Sequence, residues 1–194
     1  MCTVRRYKPE DRPALRNICI ATANDEMKFR HDVLLTLYCD YYLDYEREHC
    51  FVLENDDGEI VGYVIASYDY DEYHHIFNKI FQPKLSILSE LYAIQKKAEH
   101  ILTRGLTRRY PAHFHIDILP QYRRKGYGTE LLKALIRDLK ENDVSGVMLL
   151  VLAYNEDARL FFRHCGFRRV KNIARAVAYV MRLNEPEDVK SANV

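Results

Sequence analysis

Apolar and polar positions change period several times along this 194-residue chain, and each change predicts an element. "CTVRRY" (2–7) is a short β-like run, and Pro9 precedes a helical pattern carrying Leu15, Ile18, Cys19 and Thr22 on one side. A second helical stretch covers 31–47. "CFVLE" (50–54) and "IVGYVIASY" (60–68) read as strands around "NDDGE", where Asp-Gly tolerates positive φ and predicts a hairpin. Residues 69–110 are a long connection that opens on the acid- and aromatic-rich "DYDEYHHIFNKIF". After Pro83 a helix is expected over 85–103, with Leu88, Leu91, Tyr92, Gln95, Ala98 and Ile101 at helical spacing. "HFHIDIL" (113–119) alternates as a strand should, with Phe114, Ile116 and Ile118 on one face and His113, His115 and Asp117 on the other. A helix over 127–140 gathers Leu131, Leu132, Leu135, Ile136 and Leu139 on one side, opposite Lys133, Arg137 and Lys140. "GVMLLVLA" (146–153) is apolar throughout, as in a strand buried on both faces. Asn155 is a good N-cap for "NEDARLFFRHC", and Gly166 is a natural stop. Two short strands follow, near 167–170 and 176–183, before a polar tail expected to fray.

The order is β-α-α-β-β-insertion-β-α-β-α-β-β. It predicts an α/β (α+β) domain over 1–194 with a helical insertion at about 69–110. Its central sheet is mixed and mostly antiparallel with a late parallel pair, and helices cover both faces. Composition narrows the function. Net charge is only +1 and the isoelectric point is near 7.7, against the strongly basic balance of nucleic-acid binders. Five scattered cysteines without a CxxC pair argue against a disulfide scaffold or a metal site and for reduced thiols. No leader-like run and no membrane-length apolar segment is seen, so a soluble cytoplasmic protein is expected, with a nuclear location compatible.

The chemistry concentrates in "LPQYRRKGYGTELLKAL" (119–135). A strand ends at Pro120 and a helix begins after "RRKGYG". Glycines there let the backbone turn sharply and bring its amides close to a ligand. A turn joined to a helix N-terminus points N–H groups and partial positive charge at one spot, which suits phosphate or pyrophosphate. Arg123, Arg124 and Lys125 add full charges. The run fits neither a P-loop nor the GxGxxG of a dinucleotide fold. A plain helix cap with solvated cations is the alternative.

"RRKGYG" resembles the (Gln/Arg)-x-x-Gly-x-(Gly/Ala) loop of the GNAT acetyltransferase superfamily, and "NEDARLFFRHCGF" resembles that family's Asn-x-x-Ala…Gly-Phe element. The order of elements matches over nearly the whole chain, and the motifs match over 113–170. "PAHFHIDILPQYRRKGYG" is further similar to the acetyltransferase-like C-terminal domain of O-GlcNAcase and its free-standing microbial relatives.

The resemblance implies acetyl-CoA as cosubstrate, lying between two splayed parallel strands, 113–119 and 147–153. Backbone near Ile118 and Leu119 would pair with the pantetheine. Amides from Arg124 through Lys125, Gly126, Tyr127 and Gly128 to Thr129 would cradle the pyrophosphate, with Arg123, Arg124 and Lys125 serving the adenosine phosphates. Asn155 would contact the cofactor arm. The expected reaction is direct acetyl transfer to a primary amine, with an N–H near Ile118 polarising the thioester. Asp117 is the candidate base, against a purely structural role; His113 and His115 are candidate relays. Phe162 stands where many family members carry a tyrosine acid, and neither it nor Phe161 can donate a proton. Tyr154 or water would substitute. Acceptor contacts are expected from Asp25, Glu26, Asp69, Asp71 and Glu72 with Tyr68, Tyr70 and Tyr73, favouring a small cationic or sugar-like amine. A protein or lysine acetyltransferase and a non-catalytic acyl-CoA-binding protein remain open, as does a homo-oligomer. No nucleic-acid, membrane or metal partner is expected.

Overall fold

The computed structural model describes residues 1–183, so the expected fraying of 184–194 lies outside the described residues. Seven strands form one sheet: β1 (Cys2–Arg6), β2 (Cys50–Asn55), β3 (Ile60–Ser67), β4 (Ala112–Ile118), β5 (Gly146–Leu152), β6 (Arg168–Ile173) and β7 (Ala176–Arg182). Their spatial order is β1-β2-β3-β4-β5-β7-β6. Every neighbouring pair is antiparallel except β4 and β5. That pair is parallel because a helix, α7 (Tyr127–Glu141), carries the chain back across the sheet between them. The sheet is mixed as the sequence order implies.

Period-two alternation sorts the side chains into two cores. Cys50, Val52, Tyr63, Ile65 and Met148 face one way. They meet α1 (Arg12–Ala21), α2 (His31–Tyr38), α3 (Asp40–Tyr45), α4 (Tyr70–Ile76), α5 (Gln82–Leu88) and α6 (Glu90–Thr107). Phe51, Leu53, Phe114, Leu149 and Tyr179 face the other way, onto α7 and α8 (Glu156–His164). Leu131, Leu135 and Leu139 of α7 are fully buried there, as their spacing predicts. Asp138, also buried on α7, accepts hydrogen bonds from Arg6, Tyr68 and His49. Burial alone would raise its pKa, but bonds from Tyr68, Arg6 and His49 outweigh that and hold it below the ordinary carboxylate value.

Two helices expected to be continuous are broken. The stretch 31–47 divides at Cys39, whose φ of −132° and ψ of −60° leave the helical region. Its period gave no warning, since Val33, Leu34, Leu35, Leu37, Tyr41, Tyr42 and Leu43 are all buried. The insertion helix of 85–103 is really α5 and α6, divided at Ser89, where φ is −167° and the backbone is extended. A π-type turn, Phe77–Phe81, joins α4 to α5.

Candidate active site

Strands β4 and β5 are seven residues each, yet they pair only at Ala112 with Val147 and His113 with Met148. Beyond His113 they diverge. The Leu119 N–H donates to Val61 O of β3 at 2.9 Å. Since N–H directions alternate along a strand, the N–H of Ile118 points to the opposite edge, into the gap. Leu119 itself spends both backbone groups within the protein, because its carbonyl accepts from Tyr122 N at 2.9 Å. Ile118 is thus the donor that the strand end offers to a ligand in the gap.

The turn after Pro120 has the shape that its glycines foretell. Arg124 sits at φ +57° and Gly126 at φ +86°, and Gly126 caps α7. Among the described residues, the amides of Arg124, Lys125, Gly126, Tyr127 and Gly128 have no protein acceptor, whereas Thr129 N–H donates to Gly126 O at 3.0 Å. Alternating left- and right-handed residues ahead of a helix start form an anion-binding concavity. A Cβ on Gly126 would meet nothing within 4 Å, so the space beside it is open. Gly128 is small for a different reason: a Cβ there would lie 3.2 Å from the Phe161 ring.

The three cations are tethered. Arg123 Nε donates to Ile118 O at 2.7 Å, which holds the end of β4. Arg124 pairs with Asp157 of α8 at 2.8 Å, bridging the two helix starts that flank the gap. Lys125 lies over the Tyr122 ring at 5.5 Å. Asn155 accepts from Ala158 N at 3.1 Å as an N-cap, and its exposed side chain keeps an amide NH2 for a ligand.

Asp117 projects from β4 on the face opposite Phe114 and Ile118. It accepts from the Tyr63 hydroxyl at 2.7 Å. Burial pushes its pKa up to about 6, against the opposing pull of Tyr63, Thr22 and Arg123. Tyr63 was not among the residues singled out by sequence; 54 positions separate it from Asp117, and only the β3–β4 register makes them neighbours. Next along the same face, His115 meets Tyr38 and Tyr42 edge-on, with ring centroids at 5.2 and 5.4 Å. Burial, with Lys96, lowers its pKa to about 3. Burial also holds His113 well below the usual histidine value. Both imidazoles are neutral at physiological pH.

The expected acceptor residues divide. Asn24 donates to the Tyr154 hydroxyl at 3.1 Å, and Glu26 pairs with Arg175 at 3.1 Å and accepts from Tyr92 at 3.3 Å. Loop 22–30 is therefore tied to Tyr154 after β5, to the β6–β7 turn and to α6. Asp69 instead caps α4 through Asp71 N and Glu72 N. Tyr70 and Tyr73 are buried against His113, and Tyr68 is bound to Asp138. Phe162 is buried among Phe114, Phe161 and Phe167.

A model described as the Acetyltransferase (GNAT) family matches residues 17–167. The chain belongs to the GNAT acetyltransferase family. Acetyl-CoA is the cosubstrate of that fold, and the splayed strands with their amide-lined turn fit it. An N-alpha-acetyltransferase of Sulfurisphaera tokodaii (strain DSM 16993 / JCM 10545 / NBRC 100140 / 7) is 30% identical over 127 residues. The match takes in 65% of this chain and 60% of that relative's length. The crystal structure of SsHAT superposes with a TM-score of 0.82 at 26% identity, covering 95% of this GNAT chain and 99% of that one. The PaiA N-acetyltransferase of Thermoplasma acidophilum, in complex with coenzyme A, shares the fold at a TM-score of 0.60 and 11% identity, covering 94% and 99% of the two chains. Among the described residues no helix is long and apolar enough to cross a membrane.

Proposed function

We propose that this protein is an acetyl-CoA-dependent N-acetyltransferase that acetylates a primary amine of a small molecule by direct attack. The observation that carries this reading is the two-residue β4–β5 pairing, which leaves the Ile118 N–H facing the gap while Asp117 stands one residue away.

The unpaired amides of Arg124 to Gly128 cradle the pyrophosphate of the cosubstrate, and Asn155 contacts its arm. The Ile118 N–H polarises the thioester carbonyl. Asp117, with a pKa near 6, is ionised at neutral pH and basic enough to accept a proton from the incoming ammonium. The new C–N bond forms as the C–S bond breaks. Of the two protons the ammonium loses, one leaves with the thiol and one reaches solvent. A thiolate of pKa near 8.5 departs with little help, and Tyr154 or water supplies its proton.

Loop 22–30, held to Tyr154, Arg175 and Tyr92, narrows the entrance and favours a slim acceptor over a folded protein surface. A second reading, the α-amine of a polypeptide, draws support from the N-alpha-acetyltransferase relative.

Acetyl-CoA binding by calorimetry, followed by CoA release against a panel of amines, tests these readings. The panel holds a diamine, a polyamine, an amino sugar, a peptide with a free N-terminus and an N-terminally blocked lysine peptide. Turnover on the small amines is expected. Turnover confined to the free-N-terminus peptide selects the second reading. Tight binding with no turnover on any amine makes the protein a non-catalytic acyl-CoA binder.

A further inference from the structure

Helix α6 is apolar on two sides. Its inward side carries Tyr92, Ala93 and Leu106 packed on the core, together with Lys96, His100, Thr103 and Thr107, all buried or half-buried. Lys96 pairs with Glu99 at 2.6 Å and lies over the Tyr73 and Phe77 rings, while Thr103 shares a hydrogen bond with the Tyr70 hydroxyl at 3.1 Å. The outward side carries Leu91, Ile94, Ile101 and Leu102, which are 61%, 58%, 71% and 44% exposed. An amphipathic helix lying on a domain turns its apolar stripe inward. Here a second apolar stripe faces away from the protein.

The outward positions have order. Leu91, Ile94, Ala98, Ile101 and Gly105 follow a 3-4-3-4 spacing, the a/d repeat of a coiled-coil seam. Glu90, Lys97 and Arg104 recur every seventh residue along one edge of that seam. Ile87 and Leu88 extend the patch at the α5–α6 corner. Together these apolar side chains expose on the order of 500 Å², near the upper end of what a monomer leaves uncovered. With the charged stems beside them they approach the roughly 800 Å² per partner of a stable interface.

We propose that α6 is a dimerisation helix that packs antiparallel against α6 of a second copy about a two-fold axis. The charges select this occupant and this direction. Glu90 lies in the first turn and Arg104 in the last. An antiparallel pair sets Glu90 of each copy opposite Arg104 of the other, twice, and opposes the two helix dipoles. A parallel pair would set Glu90 beside the partner's Gln95 and Lys97 beside its Leu102, with no opposite-charge pair. The side chains agree with the antiparallel register. Leu91 of one copy falls against Ile101 of the other, and Ile94 against Ala98, so large meets small near the axis. Lys97 meets Lys97 of the other copy across the axis, where its long stem carries the charge out to water. This pairing involves no residue of the acetyl-transfer site.

Sedimentation velocity on the full chain from about 1 to about 100 µM tests the proposal. A dimer is expected, and Ile94→Glu is expected to raise its dissociation constant at least ~100-fold, a typical hot-spot loss. Because Ile94 is already solvent-exposed, the variant should keep its circular dichroism and its CoA-release rate. Arg104→Glu should weaken the dimer about tenfold, and Glu90→Arg with Arg104→Glu should restore it. A wild-type monomer at about 100 µM, a dimer indifferent to Ile94→Glu, or a double swap that fails to recover overturns the proposal.

Discussion

One strand, β4, faces two unlike halves of the molecule. On the side of α7 and α8, Phe114, Ile116 and Ile118 join Leu131, Leu135, Phe162 and Phe167 in an apolar core. The buried carboxylate there, Asp138, has three partners. On the side of α1 to α6, His113, His115 and Asp117 meet Tyr42, Tyr63, Tyr70 and Tyr73. Thr36, Gln82 and His100 add further polar atoms to this half. Among the described residues, the buried side-chain atoms without a hydrogen-bond partner belong to it: the hydroxyls of Thr36, Tyr42 and Tyr73, Oε1 of Gln82, Nδ1 of His100 and both nitrogens of His113. The first half packs against the helix that presents the proposed cofactor turn, a task that tight packing performs. The second holds polar groups at a cost to stability, which proteins tolerate where the groups do chemistry or where water enters.

Replacing the proposed base should have the largest effect. Asp117→Asn is expected to lower kcat about 10²–10⁴-fold, the usual worth of a positioned base, with little change in acetyl-CoA affinity. It should also stabilise the protein. Asp117 has a folded pKa near 6 against 3.8 unfolded. Its contribution is therefore full below pH 3.8 and is lost as pH rises through 6. At pH 7 the buried carboxylate costs about 3 kcal/mol, which Asn recovers. Wild-type kcat/KM should rise with pH through about 6. An Asp117→Asn protein that melts lower while keeping full turnover would assign the carboxylate a structural role instead.

The two halves should respond oppositely to truncation. Leu131→Ala in the apolar half is expected to cost about 3 kcal/mol in chemical denaturation, since it opens a cavity in a fully buried site. Tyr42→Phe, equally buried, removes a hydroxyl with no partner and should be neutral or slightly stabilising. Equal losses from both would erase the distinction between the halves. At the cofactor turn, Gly126→Val forces a β-branched residue to φ +86°, at about 1–2 kcal/mol of strain. Acetyl-CoA binding should weaken about tenfold or more in calorimetry. Gly126→Asn, which tolerates that conformation, should lose less.

Much of the first half was legible in the sequence. The leucines of α7, the unbroken apolar run of β5 and the glycines after Pro120 each obey a local rule, and the splay of β4 from β5 follows from the family resemblance. The second half was legible only in outline. Leu88 and Leu91 keep helical spacing across the break at Ser89, so nothing in the period marks it. Acids and tyrosines at 68–73 resemble an acceptor site on the page, yet Asp69 caps a helix and Tyr70 and Tyr73 are core. Arg123 reads as a phosphate cation but folds back onto Ile118 O. Composition states which groups are present; only long-range packing decides whether they face water, a ligand or one another.

His113 offers the finest probe of the second half, because its effect depends on pH. In the folded protein, burial holds its pKa well below the ordinary value of 6.5. The unfolded chain therefore takes up a proton near pH 6.5 that the folded chain refuses, and stability falls as pH drops below that point. The loss attributable to His113 at pH 5.5, relative to pH 7.5, is about 1 kcal/mol. His115 adds a loss of the same sign, and Asp117 a gain of opposite sign as pH falls through 6. His113→Leu deletes only the first of these contributions. Denaturant unfolding of the wild type and His113→Leu at both pH values isolates it, because any packing change from the substitution is common to both. The variant's advantage should be larger at pH 5.5 by about 1 kcal/mol. An advantage that does not grow toward acid would mean that His113 protonates in place, and that water or a ligand reaches the nitrogens that no protein group satisfies.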